Sequence, residues 1–244
     1  MKTYRADLHI HTLLSPCGSL EMSPANIIKQ AKNKKLDIIG ITDHNTTKQC
    51  KEVYRLGKIH GISVFLGVEI NTLEEIHCLA FFENLAQISI FQSFLNKNLP
   101  DIKNLPEKFG DQVWVDKNEM IAGEEKKLLI SGLNATINQV ERKVHSLNGL
   151  FIPAHIDRPM YSIISQLGFI PDDIKIDAVE LADISKAYNI LSDKEKYTSI
   201  TSSDAHYIEQ IGTKPIHLMM KGTTFNEFKL CLKSKDGRKV IAGL

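Results

Sequence analysis

Along the 244 residues, short unbroken runs of apolar side chains alternate with stretches where apolar positions return every three or four residues. The first kind reads as strands covered on both faces, the second as amphipathic helices. Tyr4 to Ile10 predicts a first strand. The pair Ser23-Pro24 then opens a helix to about Lys35, with serine as cap and proline at the first helical position. LDIIGIT, Leu36 to Thr42, predicts a second strand. A helix capped by Thr46 or Thr47 runs through Lys58 and is closed by Gly61. Ile62 to Val68 and Ile76 to Phe82 predict two more strands, and Leu85 to Leu99 a helix. Beyond residue 133 the reading gives helices from about Asn134 to Leu147, Ile163 to Leu167, Ser185 to Leu191 and Phe225 to Leu232. Between them fall strands at Leu150 to Pro153, Ala178 to Leu181, Thr198 to Thr201 and Pro215 to Met220, then a terminal run from Val240 to Leu244.

Alternation of strand and helix, with each strand apolar throughout, is the pattern of a parallel sheet with crossover helices, hence an α/β fold. The rhythm breaks at an insertion, about residues 85 to 133, within one domain covering 1–244. Its later part, Pro100 to Gly123, holds prolines, mixed charge, Phe109 and the single tryptophan, Trp114, in VWV. Such aromatics suit an ordered lid or substrate loop better than a solvated linker.

Histidines and carboxylates gather where the strands end. His9 and His11 lie two apart, so a strand turns both to one face. Asp43 and His44, Glu69, His155, and Asp204 with His206 also sit at or just past the carboxyl end of a predicted strand. In a parallel barrel those ends share one face, where such folds place their active sites. The set exceeds the three or four ligands of one tetrahedral site, so two or three ions sharing a bridging carboxylate is the simpler reading. Imidazole mixed with carboxylate suits Mn, Fe or Zn. Arg158, three residues past His155, is placed to grip a substrate phosphate bidentately, or else makes a surface ion pair. Asp7 and Asp43 fit a role behind the ligands, accepting the imidazoles' other N–H. His60, His145 and His217 lie outside the pattern, without acidic companions, and read as surface or packing residues.

With 43% hydrophobic and 24% charged residues, the composition is that of an ordinary globular protein. A net charge of +1 creates no broad field toward nucleic acid or an anionic membrane, so a phosphorylated ligand must be held locally. No apolar leader and no run of about 18 apolar residues is present, and a cytoplasmic location without membrane contact is expected. Cys17, Cys50, Cys78 and Cys231 show no CxxC spacing; at least three read as buried thiols.

Taken together, DLHIHT, ITDHN, GVEI with EEIH at Glu74 to His77, PAHIDRP and SSDAH resemble the PHP superfamily, named for polymerase and histidinol phosphatase. The resemblance runs from residue 7 to residue 206. It implies a distorted (β/α)7 TIM-like barrel, a trinuclear metal centre and phosphoester hydrolysis. By motif, His9, His11, Glu69 and Asp204 resemble the ligands of one ion. Glu69 then bridges to a second ion with His77 and His155, and His44 and His206 resemble ligands of a third. Many members place an aspartate or histidine ligand in the loop after HxHT, where this chain has Ser15-Pro16-Cys17-Gly18; Cys17 as thiolate, or water, would fill that position.

The expected activity is metal-dependent hydrolysis of a small phosphorylated substrate, a nucleotide or phosphorylated metabolite, by metal-activated water. His9, His11, Glu69, Asp204 and Arg158 would carry catalysis. The alternatives are a 3'-5' exonuclease-type phosphodiesterase, disfavoured by the lack of a basic groove, and a PHP module that binds metal or ligand without turnover.

Overall fold

The computed structural model describes residues 1–186 and 196–241. Its frame is a curled sheet built from β1 (Lys2–Ile10), β2 (Ile38–Ile41), β3 (Ser63–Asn71), β4 (His77–Phe82), β7 (Leu150–Pro153), β10 (Ile216–Met220) and β11 (Lys239–Ile241). The strand order is β11-β10-β1-β2-β3-β4-β7. Two short hairpin strands, β5 (Val113–Val115) and β6 (Ile121–Glu124), pair apart from it, as do β8 (Val179–Glu180) and β9 (Ser199–Ile200). The helices are α1 (Pro24–Asn33), α2 (Cys50–His60), α3 (Leu85–Asn98), α4 (Pro106–Phe109), α5 (Ile137–Ser146), α6 (Ile163–Leu167) and α7 (Phe225–Leu232).

The fold is mixed α/β with a half-barrel sheet, consistent with a distorted TIM-like barrel, but the sheet is not parallel throughout. β1, β2 and β3 are parallel, while β4 runs antiparallel to both β3 and β7, and β10 runs antiparallel to β1. The reason is the connection: only residues 72–76 join β3 to β4, too few for a crossover helix, so the chain must return as a hairpin. At one end the sheet's edges are drawn together. Ile156 N donates to Glu180 O at 2.9 Å, β8 pairs with β9, and Ala205 bridges to Ile10.

Alternation divides the apolar residues between two cores. On β3, Val64, Leu66, Val68 and Ile70 pack outward under the helices, whereas Phe65 joins Leu8, Leu79, Phe81 and Ile152 in the concave interior, closed below by Phe225 and Phe228 of α7. Glu69 is thus on the inner face, above that floor. Phe81 occupies the middle because Gly40 and Gly67 leave it room. A Cβ on Gly67 would stand 2.7 Å from the Phe81 ring, and one on Gly40 would stand 2.4 Å from Leu8 O.

Helix boundaries follow their caps. Ser23 accepts from Asn26 N, Gly61 closes α2 at φ +73, and Asn84 and Thr136 form capping boxes on α3 and α5. The helix expected after Thr46 starts instead at Cys50, because the Thr47 hydroxyl and amide bind Gln92 of α3. Of the helix expected from Ser185 to Leu191, the described residues show a short 3-10 turn, Ile184–Lys186; 187–191 lie outside them, as do 242–244 of the terminal run. The 85–133 stretch is α3, α4 and the β5–β6 hairpin. Gln49 holds the hairpin through both Val115 backbone groups, and Lys48 Nζ stands 4.4 Å over the Trp114 ring. His145 is not without companions, since Glu141 and Asp177 both meet its ring.

Gly40→Ala is therefore expected to destabilise the protein by about 1–3 kcal/mol or more through overpacking at a backbone carbonyl. Urea unfolding at constant slope checks this; an unchanged midpoint would contradict the packing described.

Candidate metal centre

Each side chain of the cluster is delivered by a strand end. His9 and His11 close β1, and Asp43 to Asn45 follow β2. Glu69 lies two residues before the end of β3, where it bridges to His44, and His155 follows β7. His77 stands at the start of β4, not its end, and the antiparallel pairing brings that start, opposite Asn71, to the same rim. Asp204 and His206 arrive after β9, where Ala205 N donates to His9 O at 3.1 Å and His11 N to Ala205 O at 2.9 Å. Two members hang from left-handed backbone, His155 at φ +30 and Asp204 at φ +53, which persists only because neighbours hold it.

Hydrogen bonds on the far side of each ring decide which nitrogen faces inward. His9 Nδ1 lies 3.0 Å from Glu180 Oε2, so the proton of the neutral ring belongs there. Ser15 Oγ donates to Asp43 Oδ1 at 2.8 Å and is left to accept from His11 Nδ1 at 2.9 Å. Both Nε2 atoms then present lone pairs, yet they stand 3.2 Å apart. Glu69 Oε2 is 3.4 Å from His9 Nε2 and 3.3 Å from His11 Nε2, and Asp204 Oδ1 is 3.2 Å from each. Four acceptors around one point repel unless a cation lies among them. Ligands about 2.0–2.2 Å from a zinc-like ion in tetrahedral array would be roughly 3.3–3.6 Å from one another, close to these separations.

Glu69 turns its two oxygens to different partners. Oε2 faces His9, His11 and, at 3.1 Å, His44 Nδ1, while Oε1 faces His77 Nδ1 at 2.9 Å and His155 Nε2 at 3.2 Å. A carboxylate so placed could bridge two ions. Among the described residues, three groups bring donor atoms within 4.8 Å of one another: His9, His11, Glu69 and Asp204; His44, Glu69 and His77; and His11, His44 and His206. His44 thus stands with Glu69 and His77 as well as with His206. His44 Nδ1, His155 Nδ1 and Asp204 Oδ1 are buried without a hydrogen-bond partner. His44 Nδ1 and Asp204 Oδ1 in that state fit a divalent metal, which would complete them, whereas His155 Nδ1 is the ring nitrogen that does not face Glu69, and His155 belongs to none of the three groups.

The electrostatics agree with this. Burial alone would lower the His9 and His11 pKa values, but Glu180, Asp204 and Glu69 hold His9 well above its usual value, and Asp204 and Glu69 hold His11 up at about 9. Protons would otherwise have to offset the acids. Burial, then repulsion from His11, takes His206 down to about 4, and His44 is likewise held well below its usual value, first by burial. Glu69 is kept ionised, against burial, by His77, His9 and His44.

The supporting groups differ from expectation. Neither Asp7 nor Asp43 accepts directly from an imidazole. Asp7 accepts from Ser203 N, Ser203 Oγ and Gly212 N, pinning the loop that carries Asp204 and His206. Asp43 accepts from Thr12 N, Thr12 Oγ1 and Ser15 Oγ and reaches His11 only through Ser15. Sequence reasoning missed Glu180, which orients His9 and also accepts His155 N at 3.1 Å. Its signal was available: Ala178 to Leu181 is an apolar run ending at a carboxylate, as GVEI is around Glu69. Cys17 belongs to none of the three groups, and the residue is exposed. Desolvation, then the charge of Glu69, pushes its thiol up to about 12. Arg158 Nη1 lies 2.8 Å from Asp204 Oδ2 with its side chain 41% exposed, an ion pair with a member of the cluster rather than with the wider surface.

A family model described as the PHP domain matches residues 7–157. YqxK of Bacillus subtilis is 28% identical over 99% of this chain and 65% of its own length. The crystal structure of the lesion-specific endonuclease PfuEndoQ from Pyrococcus furiosus superposes on 98% of this chain and 58% of its own, with TM-score 0.76 and 22% identity. A structure of endonuclease Q with a 27-mer duplex bearing an abasic lesion at the active site gives TM-score 0.73 and 21% identity over the same shares. The chain therefore spans less than two thirds of these proteins. The duplex complex overturns the expectation of a small phosphorylated substrate without a strong nucleic-acid signal. A net charge of +1 is a poor guide because a few local groups can hold a strand where no broad field exists. No helix among the described residues is long and apolar enough to cross a membrane.

Replacing Glu180 by glutamine should weaken divalent-ion binding about 10–100-fold, since partners of a ligating histidine tune its orientation and basicity. Calorimetric titration with Mn or Zn checks this; unchanged affinity would remove Glu180 from the centre.

Proposed function

The chain belongs to the PHP domain family, and from that premise we propose that it is a metal-dependent phosphodiesterase that cuts a DNA strand, with His9, His11, Glu69, His77, His155, Asp204, His44 and His206 holding two or three divalent ions. The observation that carries this reading is the division of Glu69, one oxygen toward His9, His11 and His44 and the other toward His77 and His155. Ions on either side of one carboxylate suit in-line displacement at phosphorus, where attacking and leaving oxygens need charge stabilised on opposite sides. The DNA part of the proposal draws support from the endonuclease likeness along nearly the whole chain.

When bound, such ions supply Lewis acidity toward the phosphoryl oxygens and toward an attacking water. The protein's own groups set the geometry. Glu180 and the Ser15–Asp43 pair fix the ring faces of His9 and His11. Asp7 fixes the loop that brings Asp204 and His206. Arg158 can turn from Asp204 to a non-bridging phosphate oxygen as the strand arrives, keeping a charge-assisted bond throughout. No serine or cysteine nucleophile is needed.

Protein loaded with Mn is expected to cleave a DNA oligonucleotide, and chelation should stop it. His9→Ala and Asp204→Asn should each lower the rate at least 100-fold with the fold intact by circular dichroism. Arg158→Ala should raise KM with less effect on kcat if the guanidinium grips phosphate in ground and transition states alike. Full metal occupancy without cleavage of single-stranded, duplex or lesion-bearing DNA would overturn the proposal.

A further inference from the structure

The loop Ile156 to Ser162, between β7 and α6, lies over the rim of the cluster and is closed on itself. Arg158 N donates to His155 O at 2.9 Å, and Ser162 Oγ donates to Arg158 O at 2.8 Å. Its last turn presents Tyr161 at φ +56, a conformation that bulky side chains rarely adopt. Two contacts hold the residue there. His77 N donates to the Tyr161 carbonyl at 2.9 Å, and the Tyr161 ring stacks on the His77 ring with centroids 4.7 Å apart and planes 18° from parallel. The same His77 places Nδ1 2.9 Å from Glu69 Oε1.

Tyr161 nevertheless remains 40% exposed, and Met160 beside it 64% exposed. An aromatic ring held against the backbone's preference, with one face on a member of the cluster and much of its surface open to solvent, has the form of a stacking platform. It lies one ring away from the groups facing Glu69, within a nucleotide's reach of a phosphate held there, and its loop also carries the Arg158 cation. Apolar burial alone does not account for it, because two fifths of the residue stays open to solvent.

We propose that Tyr161 is a nucleobase-binding residue that stacks the base beside the phosphate to be cut. The inference rests on the DNA phosphodiesterase reading above and adds to it a named contact and a predicted tolerance. A ring face accepts any base, so the contact sets the register of the strand without reading its sequence.

The test measures binding of short single-stranded oligodeoxynucleotides with phosphorothioate linkages, which resist cleavage, to the Mn-loaded full chain. One tetrahydrofuran abasic residue is moved along the strand, and wild type, Tyr161→Phe, Tyr161→Ala and the exposed-tyrosine control Tyr207→Ala are compared. At one position, loss of the base should weaken wild-type and Tyr161→Phe binding by about 5- to 150-fold, the span of base–aromatic stacking. Tyr161→Ala should already show that loss and be insensitive to the base there, while Tyr207→Ala should behave as wild type. Tyr161→Ala binding that equals wild type, or that falls equally for every oligonucleotide, would overturn the platform and leave the DNA reading standing. Failure of wild type to bind any of these oligonucleotides, or the same strands in a duplex bearing the abasic residue, would overturn both.

Discussion

Four lone-pair-bearing atoms, two imidazole nitrogens and two carboxylate oxygens, meet around one buried point with separations of 3.2–3.4 Å. Such an arrangement is repulsive unless positive charge sits at its centre, and much else in the molecule serves to keep it assembled. Glu180, Ser15 and Asp43 hold the rings from behind, and Asp7 anchors the loop that closes the fourth side. Below it, Phe81, seated between Gly40 and Gly67, gives the cluster a dry apolar floor. A dry floor strengthens every charge interaction above it.

The mixed sheet serves the same end. A wholly parallel barrel would put every ligand at a strand's carboxyl end. Here the short link after Asn71 reverses β4, and the reversal brings His77 to the rim from a strand's start, next to the β3 glutamate it faces. A second reversal between β4 and β7 restores the direction, so His155 again follows a strand end.

Much of this was legible in the chain. The apolar runs at 36–42, 62–68 and 150–153 marked buried strands, and Ser23 and Gly61 marked helix ends, because burial and capping are local demands. Strand direction was not legible, since periodicity carries no sign and only the short 72–76 link hints at a hairpin. The histidine-and-acid pattern at strand ends pointed to one rim, but the groups behind it did not announce themselves. Asp7 lies beside His9 in sequence yet turns to Ser203 and Gly212, nearly two hundred residues on. Glu180 was overlooked because a lone carboxylate after a short apolar run gains meaning only when His9 is seen beside it. The proposed DNA substrate has no signature in composition for a different reason: local grip leaves no mark on net charge.

The most direct test is an anomalous-scattering map of crystals grown with Mn. The account predicts a peak among His9, His11, Glu69 and Asp204 and a second on the other side of the Glu69 carboxylate. Well-ordered side chains with no peak beside Glu69 would contradict it.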